Sequence, residues 1–140
     1  MQYTKKVMDH FLHPKHSREM KDADAVGEVG NPRCGDLMKV YIKVGKNKKG
    51  EEIIKDISFN TFGCAAAISA SDILCEMAKG KTIKEAEKIN NKQINEYLGG
   101  LPQIKVHCSV LGEQALKKAI QNYKKIRTSR VSNSHRRAQK

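Results

Sequence analysis

Tryptophan is absent from the 140 residues, and aromatic side chains make up only 5% of them. A core must therefore be built from aliphatic side chains. No run approaches the roughly 20 apolar residues that cross a bilayer, and Met1-Gln2-Tyr3-Thr4-Lys5-Lys6-Val7 lacks the apolar stretch of a secretion signal. No Cys-x-x-Cys pair occurs, which argues against a zinc ribbon, a thioredoxin-type redox site and a permanently held ferredoxin cluster. A phosphate-binding glycine loop and a serine-nucleophile motif are also missing. Four cysteines in a chain without a secretion signal read as cytoplasmic thiols or ligands rather than disulfides.

What is present is one domain's length, a mean hydropathy of -0.63 and a net charge of +12. The charge is unevenly spread. Residues 121–140 hold seven basic residues and no acid, so residues 1–120 carry only +5. The expected division is a folded domain over 1–127 and a basic, disordered tail over 128–140. No aromatic residue follows Tyr123, so nucleic acid is disfavoured as a partner; no membrane contact is expected.

Periodicity predicts a helix over Tyr3–His13 with Val7 and Phe11 inward, stopped by Pro14. Lys15–Gly30 reads as irregular connection. Met38, Val40, Ile42 and Val44 alternate with polar neighbours as a strand. A solvated hairpin loop over Gly45–Gly50 leads to a second strand with Ile53, Ile57 and Phe59 on one face, paired antiparallel to the first. A helix should run from Cys64 to Ala78, with Gly80 just past its end. Thr82 to Glu85 spells a capping box that opens a short helix. Ile94–Leu98 adds a turn or two, Leu101–Lys105 is extended, and a last helix spans Ser109–Arg127 with Leu116, Ile120 and Tyr123 inward. Strands early and helices late predict an α+β fold: a small antiparallel sheet covered on one face by helices.

Cys34, Cys64 and Cys108 lie 30 and 44 residues apart, each beside glycine or a predicted loop. Only a folded domain can gather them. Cys64 falls at a strand-to-helix junction, where unpaired N–H groups and the helix dipole favour thiolate; a small buried hydrophobe is its other reading. Cys108 precedes the last helix with His107 beside it, and in an extended segment these two side chains point oppositely, so the two ligands would interchange. Cys34 and Asp36, two residues apart in an extended chain, could share a face; Asp36 also reads as a turn residue. Cys75 sits 11 residues beyond Cys64, about 16 Å along the helix, too far to share a metal, and is expected in the core. His10, His13 and His16 recur every three residues across Pro14 and read as surface histidines.

Three segments, Gly30-Asn31-Pro32-Arg33-Cys34-Gly35-Asp36, Thr61-Phe62-Gly63-Cys64-Ala65-Ala66-Ala67-Ile68 and Leu101-Pro102-Gln103-Ile104-Lys105-Val106-His107-Cys108-Ser109, give the chain a resemblance to the iron–sulfur cluster assembly scaffolds, the IscU and NifU N-terminal family, over roughly residues 2–127. The resemblance implies a scaffold rather than an enzyme. It implies a transient [2Fe-2S] cluster on Cys34, Cys64 and Cys108, built from iron and from sulfur delivered by a cysteine desulfurase, then passed to apo-proteins or carriers. Asp36 or His107 would supply the fourth contact, and Cys108 is the candidate persulfide acceptor. A homodimer and an Hsp70-type chaperone belong to the same expectation, although Gln103 replaces a second proline found in many members and brings the segment closer to the NifU type. A zinc-binding module and a sulfur-relay protein using the same cysteines are the alternatives, with zinc also expected at the site on isolation.

Overall fold

The computed structural model describes the backbone of residues 3–31, 36–61, 64–100 and 107–138, and the side chains of residues 3–30, 37–61, 64–100 and 110–127. Three strands, β1 (Ala25–Asn31), β2 (Asp36–Lys46) and β3 (Glu52–Thr61), form an antiparallel sheet in the order β1-β2-β3. Around it lie α1 (Lys5–Leu12), α2 (Ala65–Ala78), α3 (Ile83–Glu87), α4 (Asn91–Tyr97) and α5 (His107–Ala138). This is the α+β architecture that the periodicity predicts. Among the described residues, no helix is long and apolar enough to cross a membrane.

Alternation decides which face of β2 turns inward: Met38, Val40 and Ile42 are fully buried beneath the helices. Their partners across the ladder include Thr61, Phe59 and Ile57, and the latter two are fully buried as well. Burying each such side chain stabilises the fold by about 1.5–3 kcal/mol. The register shifts between Lys43 and Val44, so that Val44 pairs with Ile54. This bulge makes Ile54, not the expected Ile53, the fully buried residue at that end of β3.

β1 falls inside the segment expected to be irregular. Its two glycines and a glutamate weaken any strand pattern. Ala25, Gly27 and Val29 nevertheless face the helices, while Val26, Glu28 and Gly30 face outward. Gly27 is required there: a Cβ atom would sit 2.1 Å from the Ala115 carbonyl oxygen and 2.4 Å from the Ala119 nitrogen of α5.

Most of α2's fourteen residues are buried, because α1, α3, α4, α5 and β3 all pack around it. The helix is thus buried on nearly every side. Polar groups on it are consequently bonded: Ser69 Oγ donates to the Val7 carbonyl at 2.6 Å, and Asp72, with no exposed surface, accepts the backbone N–H groups of Lys15 and His16 at 2.9 Å each. His10 Nδ1 lies 2.6 Å from the second Asp72 oxygen. The surface reading of the histidines therefore fails for His16, which is 8% exposed, and for His10, held on a buried carboxylate; His13 is exposed. The outer edge of β3 is closed at both ends, by Ser17 beside Phe59 and by Thr82 beside Ile53.

Gly80 has φ +84 just beyond α2, and Thr82 and Glu85 form the reciprocal capping box of α3. A second box, Asn90 with Gln93, opens α4. α5 starts two residues before the expected Ser109 and continues past Arg127 to Ala138. Polar Ser, Asn and Arg residues do not prevent a helix. Its inward residues are Ala115, Leu116, Ala119 and Ile120. The segment expected to be extended over 101–105, including Gln103, lies outside the described residues.

Candidate functional site

Cys64 is the N-cap of α2, with extended backbone at φ -78 and ψ 179. It is half-buried and packs against the core. The junction arises because β3 ends at Thr61 and three alanines, good helix formers, follow Cys64. Unpaired N–H groups of a first helical turn surround this position, so it favours negative charge. Cys75, by contrast, is fully buried in the core, and burial followed by the nearby Asp72 pushes its thiol well above the ordinary range. It is no ligand for the same centre, as the sequence distance requires.

Asp36 opens β2 directly across the ladder from Asn31, the last residue of β1. Cys34 lies outside the described residues; in sequence it falls between that pair. Met38 pairs with Thr61, so the β1–β2 connection and the start of α2 leave the same end of the sheet. The N-terminal part of α5 lies toward that end as well. Its Asn122 donates to the Val26 carbonyl near the start of β1, whereas Ala115 and Ala119 cover Gly27, and Tyr123 reaches Glu52 at the opposite end of β3. Gly112 then meets Ser71 and Leu74 of α2. The first turn of α5, which contains positions 107 and 108, thus lies toward the Asn31–Asp36 end of the sheet and the α2 N-terminus.

Starting α5 at His107 corrects one expectation. Positions 107 and 108 belong to the first turn of a helix and not to an extended segment. Sequence reasoning also missed the partnership of His10 with Asp72, which joins residues 62 positions apart.

The NifU-like N terminal domain family model matches residues 2–130 of this chain, and the chain belongs to that family. It is 55% identical over 121 residues to the iron–sulfur cluster assembly scaffold protein IscU 1 of Archaeoglobus fulgidus, covering 86% of this chain and 76% of that protein. Identity to the IscU scaffold of Aquifex aeolicus is 47% over 122 residues, covering 87% of this chain and 76% of that protein. The nitrogen fixation protein NifU of Trichormus azollae is 46% identical over 130 residues, 89% of this chain but 42% of its own length. Among solved structures, the N-terminal part of a NifU-like protein from Brucella abortus superposes with a TM-score of 0.60 at 15% identity, covering 87% of this chain and 94% of that one, a likeness of fold.

Proposed function

We propose that this chain is a scaffold on which a transient [2Fe-2S] cluster is assembled and then released to recipient proteins. The observation that carries the reading is the half-buried Cys64 thiol at the α2 N-terminus. The elements flanking positions 34 and 108 leave from that same end of the sheet. Cys34, Cys64 and Cys108 would supply three thiolates, and Asp36 or His107 the remaining contact. A carboxylate or imidazole in place of a fourth thiolate suits a cluster that must leave. The chain itself performs no turnover chemistry.

Sulfur would arrive as a persulfide from a cysteine desulfurase, with Cys108 as acceptor: the terminal sulfur moves to the Cys108 thiolate as the donor's S–S bond breaks, and the donor leaves as a thiolate. Iron then joins the transferred sulfur, with two further electrons taken from an external reductant to bring each sulfur to sulfide. The domain that does this ends near Arg127, and residues 128–140 stand outside the cluster chemistry.

Anaerobic incubation with ferrous iron, cysteine, a desulfurase and a thiol reductant should give visible sulfur-to-iron absorption. Single Cys34→Ala, Cys64→Ala and Cys108→Ala variants should each weaken it. An unchanged signal in all three overturns the reading. Stoichiometric zinc retention with no cluster under these conditions would instead indicate a zinc module.

A further inference from the structure

A second group of side chains carrying possible ligand atoms stands apart from Cys64. We propose that His10, Asp72 and Glu76 form a divalent-cation site that clips α1 to α2, taking a first-row ion such as Mn2+ through one imidazole nitrogen and two carboxylate oxygens. One ligand atom from each residue lies within 4.8 Å of the other two. Metal bonds to such atoms run about 2.0–2.2 Å, which places ligands roughly 3–4 Å apart, so small side-chain rotations would enclose an ion.

Asp72 is fixed for the task. One oxygen is held by the Lys15 and His16 N–H groups, and the other faces His10 Nδ1 at 2.6 Å. Hydrogen bonds on one oxygen of a ligating carboxylate orient the other toward the ion. Glu76 follows one turn later on α2 and is half-buried. Among the described residues no lysine or arginine pairs with either carboxylate, so two acidic groups converge on a single imidazole. A dication balances that excess where one proton cannot. Binding would displace the proton between Nδ1 and Oδ2 to solvent, and both atoms would turn to the metal.

The donor set differs in class from the thiols. Imidazole with carboxylates suits manganese, whereas thiolates suit zinc and iron–sulfur clusters. Cys64 precedes Asp72 by eight residues, about 12 Å along the helix, so one ion cannot serve both.

The test is a MnCl2 titration of the full chain without any sulfur source, following the free-ion signal by electron paramagnetic resonance. One equivalent should bind, Cys64→Ser should bind equally, and Glu76→Gln and His10→Gln should each weaken binding at least about tenfold. Circular dichroism confirms that the variants fold; Glu76→Gln is isosteric and half-exposed, so it keeps the test open even if His10→Gln perturbs α1. No uptake by the wild-type chain, equal uptake by Glu76→Gln, or loss of uptake in Cys64→Ser each overturns the proposal. Cluster assembly plays no part in this readout, so failure of the scaffold reading leaves it untouched.

Discussion

Gly27 of β1 and Ala119 of α5 meet backbone to backbone, with a separation too small for any side chain between them. Gly27→Ala should therefore force α5 off the sheet and cost at least about 2 kcal/mol. Its neighbour Val26, on the outer face, should tolerate alanine within roughly 0.5 kcal/mol. Urea unfolding of both variants checks the contrast, and equal stability would contradict the packing.

Asp72→Ala should destabilise the fold by about 3 kcal/mol, since it strands the Lys15 and His16 N–H groups and leaves His10 without its partner. Asp72→Asn, which keeps one acceptor oxygen, should lose less. The order of the two denaturation midpoints decides.

Burial, reinforced by the hydrogen bond to Glu52, pushes the Tyr123 phenol up to about 12. In the unfolded chain it titrates near 10. Between those values the folded protein keeps a proton that the unfolded chain has lost, so stability contributed by this group falls as pH rises, and below pH 10 it is constant. The gap between wild type and Tyr123→Phe should narrow from pH 10 to 12 in parallel thermal melts. A gap that stays constant across that range counts against it.

If Asp36 supplies the proposed fourth contact, Asp36→Ala should lengthen the lifetime of a reconstituted cluster by removing an exchangeable carboxylate. Decay of visible absorption in the presence of a chelator measures it; faster decay is the contrary result.

A chain ending at Arg127 retains the contacts of Tyr123 and Arg127 with Glu52. It should melt within about 2 °C of the full chain and reconstitute equally well. A lower cluster yield would give residues 128–140 a part in assembly.

Local chemistry made much of this fold legible. Alternation of Met38, Val40 and Ile42 marks β2, Gly80 marks the end of α2, and Thr82 with Glu85 marks the start of α3. What escaped depends on contacts distant in sequence. β1 is a strand because α5 needs Gly27 beneath it, and nothing near residue 27 announces that helix. Ile54 replaces Ile53 because of a bulge opposite Val44. The cysteine motifs could be recognised because their chemistry resides in residue type and neighbours. The His10–Asp72 pair could not, since its members belong to helices far apart along the chain.

The walls around α2 have a mechanical consequence. A rod gripped by four other helices and a strand cannot slide or tilt without loosening its surroundings, so the thiol on its tip is an anchored post. Accommodation of an incoming or departing cargo then falls to whatever groups close over that post.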